Sequence, residues 1–315
     1  MAGLDKLFGG GATDTLLGLP KARLDGLAAD IAVFGADCAT PYASVGAYCA
    51  GGPEAMRRGA GVYSGSHQRY NFDLGHAVLP DGVVAVDLGD LPVRDDQAAS
   101  NRTHIADVTR RIVQAGAVPV LLGGDDSVPI PMLEGLEALG PLWILQIDAH
   151  IDWRDEAEGT RWGLSSTMRR ASEMPHVRGI VQVGARGVGS ATQTEVTAAE
   201  AYGAHLITTE DCLDDGLARA AALIPQGAQV VICFDCDALD PAIMPAVIAP
   251  TAGGLSYMQV LRLLKDVAGH ARIAGFDLVE FKPDADLHGI GARTAGQLLT
   301  SVLGLIGAQC AAGNS

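Results

Sequence analysis

Eight short, β-rich apolar runs recur along the chain with longer helix-patterned segments between them. They fall at 29–35 (ADIAVFG), 83–89 (VVAVDLG), 118–124 (VPVLLGG), 142–148 (LWILQID), 179–185 (GIVQVGA), 204–208 (AHLIT), 230–235 (VVICFD) and 272–277 (RIAGFD). Each run is continuously apolar rather than alternating, which marks strands covered on both faces. Helical periodicity spans 100–115, 128–138, 192–202, 255–267 and 292–306. Alternating strand and helix restricts the chain to an α/β fold with a mostly parallel sheet and helices on both sides.

The 315 residues suit one large α/β domain, and no linker or shift of composition divides them. Residues 26–315 therefore read as a single domain, and 1–25 as a tail or arm. Residues 36–80 are Gly-rich and read as an irregular surface excursion that helps wall a site. The net charge of −15 comes with no basic face, which argues against a nucleic-acid partner. Such an acidic balance either attracts cations or simply keeps a protein soluble. No uninterrupted apolar run of about 18 residues appears, so no membrane span is expected. The N-terminus lacks the layout of a signal peptide, so a cytoplasmic location is expected. Six cysteines are scattered, and the pair Cys233 and Cys236 lies inside an apolar run with no second pair to complete a zinc site. They read as reduced thiols.

In open α/β sheets, ligands bind at the carboxyl ends of the strands. Here those ends carry acids. Asp125 and Asp126 follow one strand; Asp148, His150 and Asp152 follow another. Asp235, Asp237 and Asp240 follow a third, and Asp277 and Glu280 lie at the end of a fourth. Side chains at i, i+2 and i+4 of an extended chain point the same way, so Asp148, His150 and Asp152 can converge, as can Asp235 and Asp237. Carboxylates packed together repel and resist ionisation without a counter-charge. Two divalent metal ions bridged by shared aspartates would supply it.

These segments resemble the ureohydrolases, which include arginase, agmatinase and formiminoglutamase. The resemblance runs from GGPEAMRRGA (51–60) and DLGD (87–90) to ARTAGQLL (292–299). GGDDS (123–127) is similar to the family's G-G-D-H-S and DAHID (148–152) to its D-A-H-x-D. FDCDALDPAIMP (234–245) is similar to its S-x-D-x-D-x-x-D-P motif. GFDLVEFKP (275–283) resembles the segment that holds the substrate glutamate, and VGARG (183–187) falls where the family has G-x-R. The resemblance implies an eight-stranded α/β/α sandwich and two divalent ions bridged by hydroxide. Mn²⁺ is the first expectation for those ions and Ni²⁺ the second. It implies hydrolysis of a guanidino C–N bond in a small cationic substrate, commonly to urea and an amine. Homo-trimers or hexamers are usual. By position, Asp126, Asp148, Asp152 and Asp235 would hold one ion. His150, Asp148, Asp235 and Asp237 would hold the other, with Asp148 and Asp235 bridging. Asp152 would orient the hydroxide, and Glu280 would pair with the guanidinium group.

Two positions depart from the family pattern. Asp126 stands where the motif has histidine. Either it ligates and favours hard ions such as Mn²⁺, or it does not and one ion is weak or absent. Leu164 stands where the family carries a histidine assigned to proton shuttling, and His67 and His288 are candidate replacements. Leu164 would also suit a less polar substrate than agmatine or arginine, and Trp153 is expected at the entrance beside it. Family members acting on guanidine, guanidino acids or the biguanide metformin set that range. The two departures also raise an alternative: a non-catalytic subunit that supports an active paralogue in a hetero-oligomer. A nucleotide-sugar transferase, reading FDCD as its D-x-D, lacks a G-x-G-x-x-G after any strand.

Overall fold

The computed structural model describes residues 13–65, 67–68, 70–189 and 191–313. Eight strands form one parallel sheet: β1 (Ile31–Ala36), β2 (Ala85–Asp90), β3 (Val118–Gly123), β4 (Leu142–Ile147), β5 (Val177–Ala185), β6 (His205–Thr208), β7 (Gln229–Asp235) and β8 (Arg272–Val279). Their spatial order is β2-β1-β3-β8-β7-β4-β5-β6. Each expected run became a strand, within a few residues at either end.

Strand alternation divides the core in two. In β1, Ile31 and Val33 face one side, and Ala32, Phe34 and Ala36 face the other. Helices Ala98–Gln114, Pro129–Gly135, Thr167–Ala171 and Gln193–Tyr202 cover the second face through Ile105, Met132, Met168 and Ala199. Helices Gly52–Ala60, Gly216–Leu223, Tyr257–Ala268 and Ile290–Gly313 cover the first through Met56, Leu217, Leu263 and Leu299. The result is the three-layer α/β/α sandwich.

Two of these helices open on capping boxes legible in the sequence, Thr192 with Glu195 and Ser256 with Gln259. The helix Gly52–Ala60, however, lies inside the stretch read as irregular. Its glycines and Pro53 hid a short helix whose residues are mostly buried. Gly59 explains the composition: a Cβ there would lie 2.0 Å from the Ala292 carbonyl oxygen, so only glycine permits this approach to the final helix.

From Thr13 onward, the segment expected as a tail packs into the molecule. Leu16 and Leu17 are fully buried, and the Leu16 amide donates to Asp87 Oδ2 at 2.8 Å. Asp87, in the DLGD segment, also accepts from Arg57 Nε at 2.8 Å and Nη2 at 3.0 Å. This buried ion pair ties the N-terminal segment, β2 and the helix Gly52–Ala60 together. The helix Ile290–Gly313 is long and apolar enough by composition to cross a membrane, but most of it is buried as a core helix of the sandwich. All six cysteines are unpaired.

Candidate metal centre and pocket

The sheet centre is formed by β3, β8, β7 and β4, and each delivers acids to its carboxyl edge. Two sets of ligand atoms meet there. Asp148, His150 and Asp237 have donor atoms within 4.8 Å of one another, and so do Asp126, Asp148 and Asp152. Asp148 belongs to both sets. Asp235 lies beside them, with its Oδ1 accepting from the Asp237 amide at 2.7 Å. It lines the same cavity but is in neither close set.

The electrostatics of this cluster demand positive charge. Burial, then Asp152 and Asp148, push the Asp126 carboxyl well above its ordinary range. Burial and Asp152 do the same to Asp148, and burial and Asp237 to Asp235. Asp126 Oδ2 is buried with no hydrogen-bond partner. His150 Nδ1 lies 3.0 Å from Asp237 Oδ2 and 3.4 Å from Asp148 Oδ1. Burial disfavours its charge, but these two carboxylates outweigh burial and raise its pKa to about 12. A proton on His150 thus does part of the work a cation would do. Carboxylate oxygens clustered round one imidazole, one of them unpartnered, fit a pair of hard divalent ions.

Local structure holds these groups in place. Gln146, two residues before Asp148 on β4, donates through Nε2 to Asp148 Oδ2 at 2.7 Å and to Asp152 Oδ2 at 2.5 Å. Its own Oε1 accepts from Gln182, its register partner on β5. Gln182 Oε1 in turn accepts from Trp153 Nε1 at 2.6 Å. A buried amide relay therefore aims two carboxylates. Gly184 lets β5 close on this strand end: a Cβ there would lie 2.7 Å from the Asp148 carbonyl oxygen. Arg186 staples the loop after β7, donating to the carbonyls of Asp237 at 2.7 Å and Thr251 at 2.9 Å. Asp152 (φ 50°) and Glu280 (φ 63°) both occupy the left-handed region, at a cost of roughly 1–3 kcal/mol each. Such strain persists where the surroundings over-determine it, and here it turns two acids into one cavity.

That cavity has a volume of about 160 Å³. Its floor carries Asp126, His150, Asp152, Asp235, Asp237 and Glu280, and its wall includes Tyr48, Leu164 and Ile248. Glu280 is fixed from two sides. Tyr48 donates its hydroxyl to both carboxylate oxygens, at 2.6 and 2.7 Å, and the Asp126 amide donates to Oε1 at 2.8 Å. Burial, with Asp125 next, raises the Glu280 pKa to about 8.

The remaining expected residues divide clearly. Leu164 lines the cavity. Trp153 lines it too, but its indole is buried and its N–H is committed to Gln182. Asp125 holds its own turn through Ser127, and Asp240 caps a loop at Ala242, Gly253 and Gly254. Asp277 points into the sheet and accepts from the Phe234 amide. His67 is bonded to the Leu17 carbonyl, and His288 is exposed; neither lines the cavity. Tyr48, Gln146 and Gln182 were not anticipated. Gln146 carried a signal, a polar residue inside an apolar strand on the side of Asp148. Tyr48, in the Gly-rich excursion, carried none.

The arginase family model matches residues 29–304. The chain belongs to the arginase family. Human mitochondrial guanidino acid hydrolase is 32% identical over 227 residues, 70% of this ureohydrolase and 64% of that protein. An N(1)-aminopropylagmatine ureohydrolase of Thermus thermophilus is 33% identical over 259 residues, 82% of this chain and 84% of that one. Among solved structures, the proclavaminate amidino hydrolase of Streptomyces clavuligerus aligns with a TM-score of 0.80 at 25% identity, covering 94% of this ureohydrolase and 98% of that chain. The family consists of binuclear metal-dependent hydrolases acting on C–N bonds of amidines, and this ureohydrolase is a metal-dependent amidinohydrolase.

Proposed function

We propose that the chain cleaves the C–N bond of a small cationic guanidino compound to urea and an amine. Two divalent cations, Mn²⁺ first and Ni²⁺ second, would be held by Asp126, Asp148, His150, Asp152, Asp235 and Asp237. The carrying observation is that Asp148 is shared between two sets of donor atoms, as a bridging ligand must be. A divalent ion bound there would lower the pKa of water toward neutrality and supply a nucleophile at pH 7.

The chain's own residues do the rest. Glu280, held by Tyr48 and the Asp126 amide, faces the cavity; burial favours its protonated form, and a guanidinium cation beside it would favour the carboxylate that pairs with it. That contact places the planar carbon over the acid cluster. Asp152, steadied by Gln146, would take a proton from the attacking water. With no histidine at position 164, the same carboxyl would return that proton to the leaving amine. Leu164 and Ile248 flank the wall and suit an apolar spacer. The full complement of acids favours an active enzyme over a non-catalytic subunit.

The test is direct. The purified protein is stripped with chelator, reloaded with Mn²⁺ or Ni²⁺, and offered guanidine, guanidino acids, agmatine and a biguanide, with urea and amine assayed. Turnover that requires metal and is lost in Asp148→Asn supports the reading. Activity that appears only with an added paralogue, and survives Asp148→Asn here, would sink it in favour of the supporting-subunit role.

A further inference from the structure

The floor and the outer wall of the cavity differ in charge. Acids crowd the floor, whereas the described lining farther out holds a permanently charged guanidinium, Arg154, paired with Glu195. Its placement is built. Its amide donates to the Ser165 carbonyl at 2.9 Å, which seats it beside Leu164. Its Nε donates to Glu195 Oε1 at 3.1 Å, and the other Glu195 oxygen accepts from the Thr192 amide at 2.7 Å. Glu195 is thereby fixed at the start of the helix Gln193–Tyr202, with both oxygens engaged. The terminal nitrogens of Arg154 have no hydrogen-bond partner among the described residues, and its side chain is 41% exposed. A guanidinium anchored through Nε, with its Nη groups unused, presents two parallel donors to an anion.

We propose that Arg154 recognises a carboxylate at the far end of the substrate, so that the preferred substrate is a short guanidino acid. The inference rests on the guanidino reading of the floor. The cationic head goes to Glu280, the methylenes lie along Leu164 and Ile248, and the carboxylate meets the Nη groups of Arg154. A diamine-type substrate such as agmatine would instead set an ammonium group beside Arg154, whose Nη groups can only donate, and beside Glu195, whose two oxygens are already engaged.

The experiment compares matched pairs on the metal-loaded protein: 3-guanidinopropanoate with propylguanidine, 4-guanidinobutanoate with butylguanidine, and agmatine alongside. The better acid should exceed its carboxylate-free partner about tenfold in kcat/KM, chiefly through KM, and should exceed agmatine. Arg154→Met should bring the acid-to-alkyl ratio near one, and Arg154→Lys should restore part of it, with melting temperatures confirming both folds. A ratio near one in the unaltered protein, a preference for agmatine, or an acid preference that survives Arg154→Met would overturn the proposal. If no compound turns over, the hydrolytic reading fails, and calorimetric binding of the same pairs decides this one. Tighter acid binding that is lost in Arg154→Met supports it, and equal binding rejects it.

Discussion

The floor of the cavity comes from four adjacent strands, β3, β8, β7 and β4, whereas its wall and mouth come from loops carrying Tyr48, Arg154, Leu164 and Ile248. On the floor, the strands deliver the acids to one edge, and the bend after β4, the 3-10 turn at Asp237 and the left-handed backbone at Asp152 and Glu280 turn them together. In the mouth, the polar side chains are aimed by separate hydrogen bonds, as Glu195 aims Arg154 and Glu280 meets Tyr48. On the proposed function, the floor would carry chemistry that tolerates little change, and the mouth would carry selectivity that can vary without disturbing the sheet.

That contrast orders the effect of substitutions. Asp148→Asn, which alters both donor sets at once, should reduce kcat by more than the roughly 10–100-fold typical of outer-shell changes, with loss of bound metal by elemental analysis. A variant that retained full metal and near-normal kcat would show that the floor does not work as described. Gln146→Leu removes the amide that aims Asp148 and Asp152 and leaves Gln182 partly unsatisfied. It should weaken metal binding or kcat by about 10–100-fold and destabilise the fold by about 1–3 kcal/mol, read by metal titration and chemical denaturation. In the wall, Tyr48→Phe deletes the phenol that holds Glu280 but leaves the Asp126 amide in place. The expected change is a roughly tenfold rise in KM with a smaller effect on kcat. An unchanged KM would remove Tyr48 from the account of binding.

The smallest effect is on stability against pH. In the metal-free protein, burial raises the pKa of Glu280 to about 8, Asp277 to about 7 and Asp125 to about 6. The folded state then holds protons that the unfolded chain releases near pH 4, so these groups lower stability as pH rises from about 4 to 8. His150, raised to about 12 by its two carboxylates against the cost of burial, loses its stabilising contribution above about pH 6.5, in the same direction. The melting temperature of chelator-treated protein should therefore fall between pH 5 and 8, and the increment on adding Mn²⁺ should grow over the same range. A metal-free melting temperature that rises across that window would contradict the unpaired-carboxylate picture.

The same contrast explains what could be read from the chain. The sheet and the floor were legible because continuous apolar runs force buried strands, and acids at their ends have few other reasons to gather. Asp126, Asp148, His150, Asp152 and Asp237 did converge in two sets, and Asp235 came to rest beside them. The relay through Gln146 and Gln182 was hidden because it depends on pairing between β4 and β5, which no single segment records. Tyr48 was hidden because it reaches Glu280 across 232 positions of sequence, from a stretch whose glycines read as loop. Trp153 was anticipated at the entrance; it lines the cavity, but its indole is buried and its N–H serves the relay.

The central claim is that two cations share Asp148 above the sheet and that Asp126 touches one of them. Anomalous scattering from crystals grown with Mn²⁺ tests it most directly. The account predicts two peaks, one coordinated by Asp126, Asp148 and Asp152 and the other by Asp148, His150 and Asp237. A single peak, or two with Asp126 turned away from both, would contradict it.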